Sequence, residues 1–256
     1  MSTDTPQAPP VLRGGRGERL DFAFTPGAGD GSAVVVLGHG VTSAHDRPYL
    51  VALAEALGAA GLSCLRFSFA GNGASEGAFV DATISSEVAD LGCVLDALAG
   101  RRAAYVGHSM GAAVGLLRAV EDPRIAALVS LAGMVRVEAF FERHFGRLVC
   151  GRDFLLDRSD CPYDRALRDD ALAQGDLVGT AARVRVPWLL VHGTADELVE
   201  ADDTTAASAA CPGHAETVLL AGADHRFSGR LDELCGTVVP WLVRALDVGG
   251  ARRGGS

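Results

Sequence analysis

The chain has 256 residues, a formal net charge of −9 and a hydrophobic content of 48%. This length fits one large α/β domain or two small ones, and the composition supplies a sizeable core. An acidic chain lacks the Lys and Arg clusters that bind phosphate backbones, so we expect no nucleic-acid partner. No stretch approaches the roughly 20 apolar residues of a membrane span, so we expect none.

The N-terminal sequence and the cysteine spacing indicate in which compartment the protein works and whether it holds a metal. Residues 1–10 are polar and proline-rich, unlike a signal peptide. The six cysteines are scattered without C-x-x-C spacing, which favours reduced thiols over a structural metal site. We therefore expect a cytoplasmic protein with no metal and no cofactor. Residues 1–17 are predicted to be a flexible leader, and residues 249–256 a disordered tail.

Strands alternate with helices through the first half of the chain. An outer antiparallel strand is predicted at residues 20–24. The following predicted elements are strands at 33–37, 62–67, 103–106 and 125–131, with helices at 49–60 and 83–98 between them. This alternation predicts a mostly parallel sheet with helices on both faces, within a single α/β domain over residues 18–248. Ligands of such sheets bind at the carboxyl ends of the strands.

The alternation breaks at about residues 134–183. Phe140, Phe141 and Phe145 have amphipathic helical spacing there, and a charged stretch follows. We interpret this segment as a small cap insertion over the carboxyl edge of the sheet, and the alternative is packing at the side of the sheet. Partial exposure of the three phenylalanines would favour an aromatic or acyl substrate.

The most informative stretch is Gly107-His108-Ser109-Met110-Gly111. It lies between a predicted strand and a predicted helix, which is the context of a nucleophile elbow. The turn would present the Ser109 hydroxyl above the sheet, with the first N–H groups of the helix pointing back towards it. A chance glycine-rich turn is the alternative interpretation.

A second glycine-rich stretch, Gly38-His39-Gly40-Val41, follows the strand predicted at 33–37. Glycines at the end of a strand let the backbone approach a substrate and direct an amide N–H at it. In an acyl-transfer enzyme the N–H groups of Met110 and Val41 would form the oxyanion hole. His39 is expected to pack or hydrogen-bond under the loop.

A serine nucleophile needs a histidine to take its proton and a carboxylate to orient that histidine. Asp196 and His225 each follow a late predicted strand. With Ser109 they give the chain order Ser, Asp, His that is typical of α/β-hydrolases. Glu197 is the alternative acid, and Asp224 is expected to point elsewhere. His108 and His192 are predicted to be structural.

At these residues the chain resembles the serine α/β-hydrolases, in the branch that contains cinnamoyl and feruloyl esterases and the S33 peptidase-like hydrolases. The matching stretches are Gly38 to Ser43, Arg66 to Gly77, Gly107 to Gly111, His192 to Asp196 and Gly222 to Phe227. The resemblance implies the α/β-hydrolase fold, a catalytic triad of Ser109, Asp196 and His225, and an oxyanion hole. It identifies the catalytic groups and leaves the substrate open.

We therefore expect a serine carboxylesterase that acts on a small-molecule ester through an acyl-enzyme. Thioester hydrolysis, amide or peptide cleavage and acyl transfer are alternatives on the same groups, and a non-catalytic binding protein belongs to another class. An aminopeptidase would need a carboxylate near the substrate amine. The candidates for that carboxylate in the segment 134–183 are Glu138, Glu142, Asp153 and Asp157. Ser109 disfavours dehalogenase or epoxide hydrolase action, whose enzymes carry aspartate there. A homodimer is left open.

Overall fold

A seven-stranded sheet organises the computed structural model, which describes residues 7–98 and 100–246. The strand order in the sheet is β3-β5-β4-β6-β7-β8-β9, and a separate pair is formed by β1 and β2. The strands are β1 Leu12–Arg13, β2 Arg19–Leu20, β3 Phe22–Thr25, β4 Ala33–Gly38, β5 Ser63–Phe67, β6 Arg102–His108, β7 Ile125–Leu131, β8 Trp188–Gly193 and β9 Ala215–Leu220.

Helices connect the parallel strands. They are α1 Pro48–Ala59, α2 Ile84–Ala97, α3 Met110–Ala119, α4 Val137–Phe145, α5 Arg165–Gln174, α6 Val178–Ala181, α7 Ala201–Ala210 and α8 Leu231–Ala245. Short 3-10 turns lie at Phe79–Asp81 and Leu155–Asp157. Within the described residues, no helix has the length and apolar character needed to cross a membrane.

The sheet is parallel except at β3, which runs antiparallel to β5. Alternate residues of β4 enter two different cores: Val34 and Val36 pack with residues of α2 and α3, while Val35 and Leu37 pack with residues of α1 and α8. A parallel strand buried on both faces reads as a continuous apolar run, which explains the β4 sequence. The predicted mostly parallel sheet with helices on both faces is confirmed.

The helix ends follow local chemistry. At α2 the Thr83 side chain accepts from the Ser86 backbone N–H, and the Ser86 side chain accepts from the Thr83 backbone N–H. This reciprocal capping satisfies two N–H groups that the first turn leaves without helical partners. At α1, Pro48 occupies the first turn, where its missing N–H costs nothing. The predicted helices at 49–60 and 83–98 agree with α1 and α2 to within one residue at each end.

The prediction of a flexible leader over residues 1–17 is wrong for its second half. Leu12 pairs with Leu20 in the β1-β2 pair and is fully buried against the core that includes α2. The Asp90 carboxylate accepts a 2.8 Å hydrogen bond from the Gly15 N–H, so the turn between the two strands is also anchored. Burial of Leu12 favours order there. Residues 1–6 and the predicted tail 249–256 lie outside the described residues.

The segment 134–183 runs from the end of β7 to the start of β8 and contains α4, α5 and α6. Asp203 of α7 anchors its start, because the carboxylate accepts from the N–H groups of Val135 at 2.9 Å and Arg136 at 3.1 Å. Asp203 is 3% exposed. The segment therefore leaves the carboxyl edge of the sheet from a buried, charged anchor point.

Candidate active site

Ser109 lies at the sharp turn between β6 and α3. Its φ of 53° is in the left-handed region that non-glycine residues rarely adopt. A Cβ on Gly107 would lie 2.2 Å from the carbonyl oxygen of Gly111, and one on Gly111 would lie 2.3 Å from that of His39. Both flanking positions must therefore be glycine, as the elbow interpretation requires.

Asp196 and His225 meet across the loops that follow β8 and β9. The Nδ1 atom of His225 lies 2.8 Å from Oδ2 of Asp196, and the two side chains are 6% and 1% exposed. Because the carboxylate accepts, Nδ1 carries the hydrogen. The other ring nitrogen, Nε2, is thereby left as the atom that can take a proton.

Four donors converge on the Asp196 carboxylate. Oδ1 accepts from the backbone N–H groups of Leu198 at 2.8 Å and Val199 at 2.9 Å. Oδ2 accepts from the His225 ring and lies 3.1 Å from Nε2 of His192. Burial raises the pKa of Asp196, but the hydrogen bonds from His192 and His225 outweigh it and hold that pKa well below its ordinary value. Asp196 is thus a charged carboxylate near neutral pH.

The alternative acids do not contact the His225 ring. The Glu197 carboxylate lies 3.4 Å from the backbone nitrogen of His225. The Asp224 carboxylate accepts from the backbone N–H groups of Arg226 at 3.0 Å and Ser228 at 2.8 Å, so it points elsewhere as expected. The ring partner is Asp196.

Ser109 and His225 line one cavity of about 210 Å³ at the carboxyl edge of the sheet. Each residue is 4% exposed. In the part of the chain that the structure describes, no hydrogen bond joins the Ser109 hydroxyl to the histidine ring. The structure therefore joins Asp196 to His225 directly, and brings Ser109 and His225 to the same cavity.

The loop after β4 passes beside Ser109. A Cβ on Gly40 would lie 2.9 Å from Cβ of Ser109, so the backbone approaches the serine where a side chain would not fit. Val41 lines the cavity. Among the described residues, neither the Val41 N–H nor the Met110 N–H has a protein acceptor. Both predicted oxyanion donors are thus unpaired beside Ser109.

His39 supports this loop from below. Its Nδ1 donates to the carbonyl oxygen of Gly40 at 2.8 Å, and its Nε2 accepts from the Phe69 N–H at 3.1 Å. Burial lowers the pKa of His39 to about 4, so the ring is neutral and can make both bonds. The expected hydrogen-bonding role of His39 is therefore what the structure contains.

His108 links the elbow to the His225 loop. Its Nε2 donates to the carbonyl oxygen of His225 at 2.8 Å, and its Nδ1 accepts from the Tyr49 hydroxyl at 3.1 Å. The two imidazole rings lie 4.7 Å apart. Burial, with the nearby His225, lowers the pKa of His108 to about 3, which keeps it neutral. The sequence indicated only a packing role, because the partner of His108 lies more than 100 residues away.

The segment 134–183 contributes Phe140, Leu156 and Arg158 to the cavity lining. Phe140, Phe141 and Phe145 are all at most 4% exposed, so the partial exposure that would have favoured an aromatic or acyl substrate is not found. None of the four acidic residues considered as amine-binding groups in this segment lines the cavity.

Three arginines in the lining were not identified from the sequence: Arg47, Arg158 and Arg226. They come from the turn before α1, the segment 134–183 and the residue after His225. No spacing in the sequence relates them. Among the residues described, no group of three or more His, Cys, Asp or Glu side chains is placed to hold a metal ion.

Comparisons with known proteins agree with this architecture. Residues 29–152 match the family model described as serine aminopeptidase, S33. A comparison with curated protein sequences finds no match.

Solved structures match over nearly the whole chain. Est1E from Butyrivibrio proteoclasticus, in a structure with ferulic acid bound, has a TM-score of 0.77 at 21% identity and covers 90% of this chain and 97% of its own. Alpha/beta hydrolase domain-containing protein 10 from mouse has a TM-score of 0.74 at 18% identity, covering 93% and 99%. The esterase domain of a Rhodothermus marinus protein has a TM-score of 0.70 at 21% identity, covering 91% and 96%.

Proposed function

We propose that this chain, which has the α/β-hydrolase fold and resembles the serine hydrolases that share it, cleaves a carboxylic ester of a small or medium-sized substrate through an acyl-enzyme. The observation that carries the proposal is the 2.8 Å hydrogen bond between His225 and Asp196, at a cavity that Ser109 also lines. This bond orients the His225 ring so that its Nε2 is the atom that can take a proton, beside the strained turn that carries Ser109.

In the first step the Ser109 hydroxyl oxygen attacks the ester carbonyl and forms a C–O bond. Nε2 of His225 takes the hydroxyl proton, and the Asp196 carboxylate stabilises the resulting imidazolium. The serine-histidine hydrogen bond forms as substrate binds, since catalytic hydrogen bonds are often loose in the free enzyme. The N–H groups of Met110 and Val41 hold the oxyanion, each contributing roughly 3 kcal/mol to lowering the barrier.

The tetrahedral intermediate then collapses. The bond to the leaving alcohol breaks, and His225 delivers its proton to that oxygen. In the second half-reaction His225 takes a proton from water, the hydroxide oxygen attacks the acyl carbon, and Ser109 leaves with the proton returned to it. No step needs a metal or cofactor.

We extend the proposal to the domain organisation. Residues 18–248 act as one hydrolase domain, and the segment 134–183 acts as a cap on its site. The support is that Phe140, Leu156 and Arg158 of this segment line the cavity that holds Ser109. Phe140 and Leu156 offer an apolar wall for part of the substrate.

Ester cleavage is favoured over aminopeptidase action by the charge of the cavity. An aminopeptidase holds the ammonium group of its substrate, which needs a carboxylate close by. In the described structure no Asp or Glu lines this cavity, while three arginines do. Thioester hydrolysis and acyl transfer would use the same groups as ester hydrolysis and stay as alternatives.

The test is hydrolysis of p-nitrophenyl esters from acetate to a long acyl chain by the wild type and by Ser109→Ala. We expect turnover by the wild type, with an optimum at short chains that reflects the small cavity, and a loss of at least about 10⁴-fold in the variant. Labelling by a fluorophosphonate probe is a second readout. A wild type that neither turns over nor labels at Ser109 would contradict the proposal.

A further inference from the structure

Three guanidinium groups line the active-site cavity of a chain whose net charge is −9. Arg47, Arg158 and Arg226 reach it from three separate segments, and no acidic side chain accompanies them in the lining that the structure describes. A local excess of positive charge in an acidic protein attracts anions to that place.

Two of these groups converge on one oxygen. Nη2 of Arg47 lies 3.2 Å from the carbonyl oxygen of Thr42, and Nη1 of Arg158 lies 2.7 Å from the same atom. The two nitrogens are therefore no more than about 6 Å apart. Like charges at this separation in a half-buried site repel each other, and an anion bound beside them would offset that repulsion.

The nearby protein groups compensate this charge only in part. Arg158 pairs with Asp160 at 2.6 Å on the exposed side of the segment. Arg47 donates to the Ser43 hydroxyl at 2.9 Å. In residues 7–98 and 100–246, Arg47 has no carboxylate within 4.0 Å.

Arg226 has fewer protein partners than Arg47 or Arg158. Its guanidinium makes no hydrogen bond and no ion pair with any residue that the structure describes, and it follows His225 directly. Arg226 is an exposed residue of the cavity lining, so the five N–H donors of its guanidinium are open to solvent and available to an anionic ligand. Support of the loop explains the contacts of Arg47 and Arg158 with Thr42, but it does not explain Arg226.

From these contacts we infer that the substrate is an ester that carries a carboxylate. Arg226 and Arg47 bind this carboxylate, and Arg158 adds to the positive electrostatic potential of the cavity. A planar guanidinium binds a carboxylate through two parallel N–H···O bonds, which fixes orientation as well as charge. The inference rests on the proposed ester hydrolysis and names the substrate class of that same site.

The test compares matched pairs of anionic and neutral esters. For a carboxylate on the acyl part, the pair is mono-p-nitrophenyl glutarate and p-nitrophenyl pentanoate, with the uncatalysed rate of each subtracted. For a carboxylate on the alcohol part, the pair is 3-acetoxybenzoate and 3-acetoxybenzamide. The readout is the ratio of kcat/KM for the anionic ester to that for the neutral ester, which cancels any general loss of activity.

We expect a ratio above 10 for at least one pair in the wild type, falling about tenfold in Arg226→Gln and in Arg47→Gln. The matched control is Arg244→Gln, which removes one positive charge from an exposed site on α8 away from the cavity. Raising the salt concentration should lower the wild-type ratio, because the attraction is screened.

The outcomes separate this inference from the proposed function. Hydrolysis of the neutral esters with ratios near or below 1 in both pairs, unchanged by the arginine variants, overturns the inference and leaves the ester hydrolase intact. If no ester is hydrolysed, calorimetry measures whether 3-acetoxybenzoate binds to Ser109→Ala, which tests the carboxylate site without catalysis. If 3-acetoxybenzoate binds to Ser109→Ala, and this binding is lost when Arg226→Gln is added, the carboxylate site is supported without the proposed chemistry. If 3-acetoxybenzoate does not bind to Ser109→Ala, both the carboxylate site and the proposed function are overturned.

Discussion

The guanidinium of Arg158 donates a 2.7 Å hydrogen bond to the carbonyl oxygen of Thr42. This bond joins the segment after β7 to the loop after β4, which carries the Val41 N–H beside Ser109. Thr42 has a φ of 56°, an unfavourable conformation for a β-branched residue, and it is 6% exposed. The guanidiniums of Arg47 and Arg158 both donate to its carbonyl oxygen and so help to hold this strained residue in place.

We predict that Arg158→Ala loosens this loop and lowers kcat/KM for a neutral ester roughly 10-fold to 100-fold, the loss expected for one charged hydrogen bond. Arg152→Ala is the matched control, because Arg152 lies in the same segment, is exposed and pairs with Asp153 alone. Full activity of the Arg158 variant would mean that Arg47 is sufficient to hold Thr42.

We predict that Asp196→Asn lowers kcat about 10³-fold to 10⁴-fold, because the asparagine cannot hold the His225 ring in the same tautomer or stabilise its charged form. Glu197→Gln should change kcat less than about threefold, since the Glu197 carboxylate approaches only the backbone of His225. Steady-state kinetics on one p-nitrophenyl ester measures both. The opposite ranking would make Glu197 the acid.

We predict that replacing a glycine of the elbow by alanine lowers the free energy of unfolding, whereas the same replacement in α8 raises it. In Gly111→Ala the new Cβ would lie 2.3 Å from the backbone oxygen of His39, and a backbone atom cannot move aside cheaply. We expect a loss of about 2 kcal/mol or more in unfolding free energy. Gly236→Ala in α8 meets nothing within 4 Å and should gain about 0.5–1 kcal/mol from helix propensity. Denaturant unfolding of both variants tests the contrast.

A buried carboxyl predicts a pH dependence of stability. Glu87 of α2 is 1% exposed, and its Oε2 has no hydrogen-bond partner in the described structure. Burial, with Asp90 and Asp170 nearby, raises the pKa of Glu87 well above its ordinary value. Its contribution to stability is therefore fully present below the unfolded-state pKa near 4.5 and is lost as the pH rises.

We accordingly expect Glu87→Gln to be more stable than the wild type above pH 4.5, with a difference that grows by up to about 1.4 kcal/mol for each pH unit until the folded-state pKa is reached. The measurement is denaturant unfolding at pH 5 and pH 8. Glu55→Gln, on the exposed face of α1, should show no such growth. A constant or shrinking difference would mean that Glu87 is ionised in the folded protein.

Local patterns carried much of the information about the fold and the site. The apolar run of β4 predicted a strand buried on both faces, and the structure divides it between two cores. The glycines around Ser109 predicted the elbow, because the steric limits on a tight turn act between near neighbours in the chain. Ser109, Asp196 and His225 were predicted from their chain order and from the position of each after a predicted strand, and the structure places them after β6, β8 and β9.

Contacts between distant segments were decided only by the tertiary structure. It selected Asp196 over Glu197 as the partner of the His225 ring, although both lie in one loop. It also buried Leu12 in a stretch whose composition indicated a flexible leader, and it turned the phenylalanines of α4 into the core. In each case the outcome depends on which side of a short element faces its neighbour, and a one-residue rotation reverses it.

The charge of the cavity is the clearest example. Arg47, Arg158 and Arg226 are ordinary polar residues in the sequence, separated by more than 60 residues from one to the next. The sequence by itself predicted the parallel sheet, the candidate nucleophile and its candidate partners, since these depend on local sterics and periodicity. The tertiary structure alone placed three guanidiniums around one cavity, because electrostatic fields add over distances in space that the order of the chain does not contain.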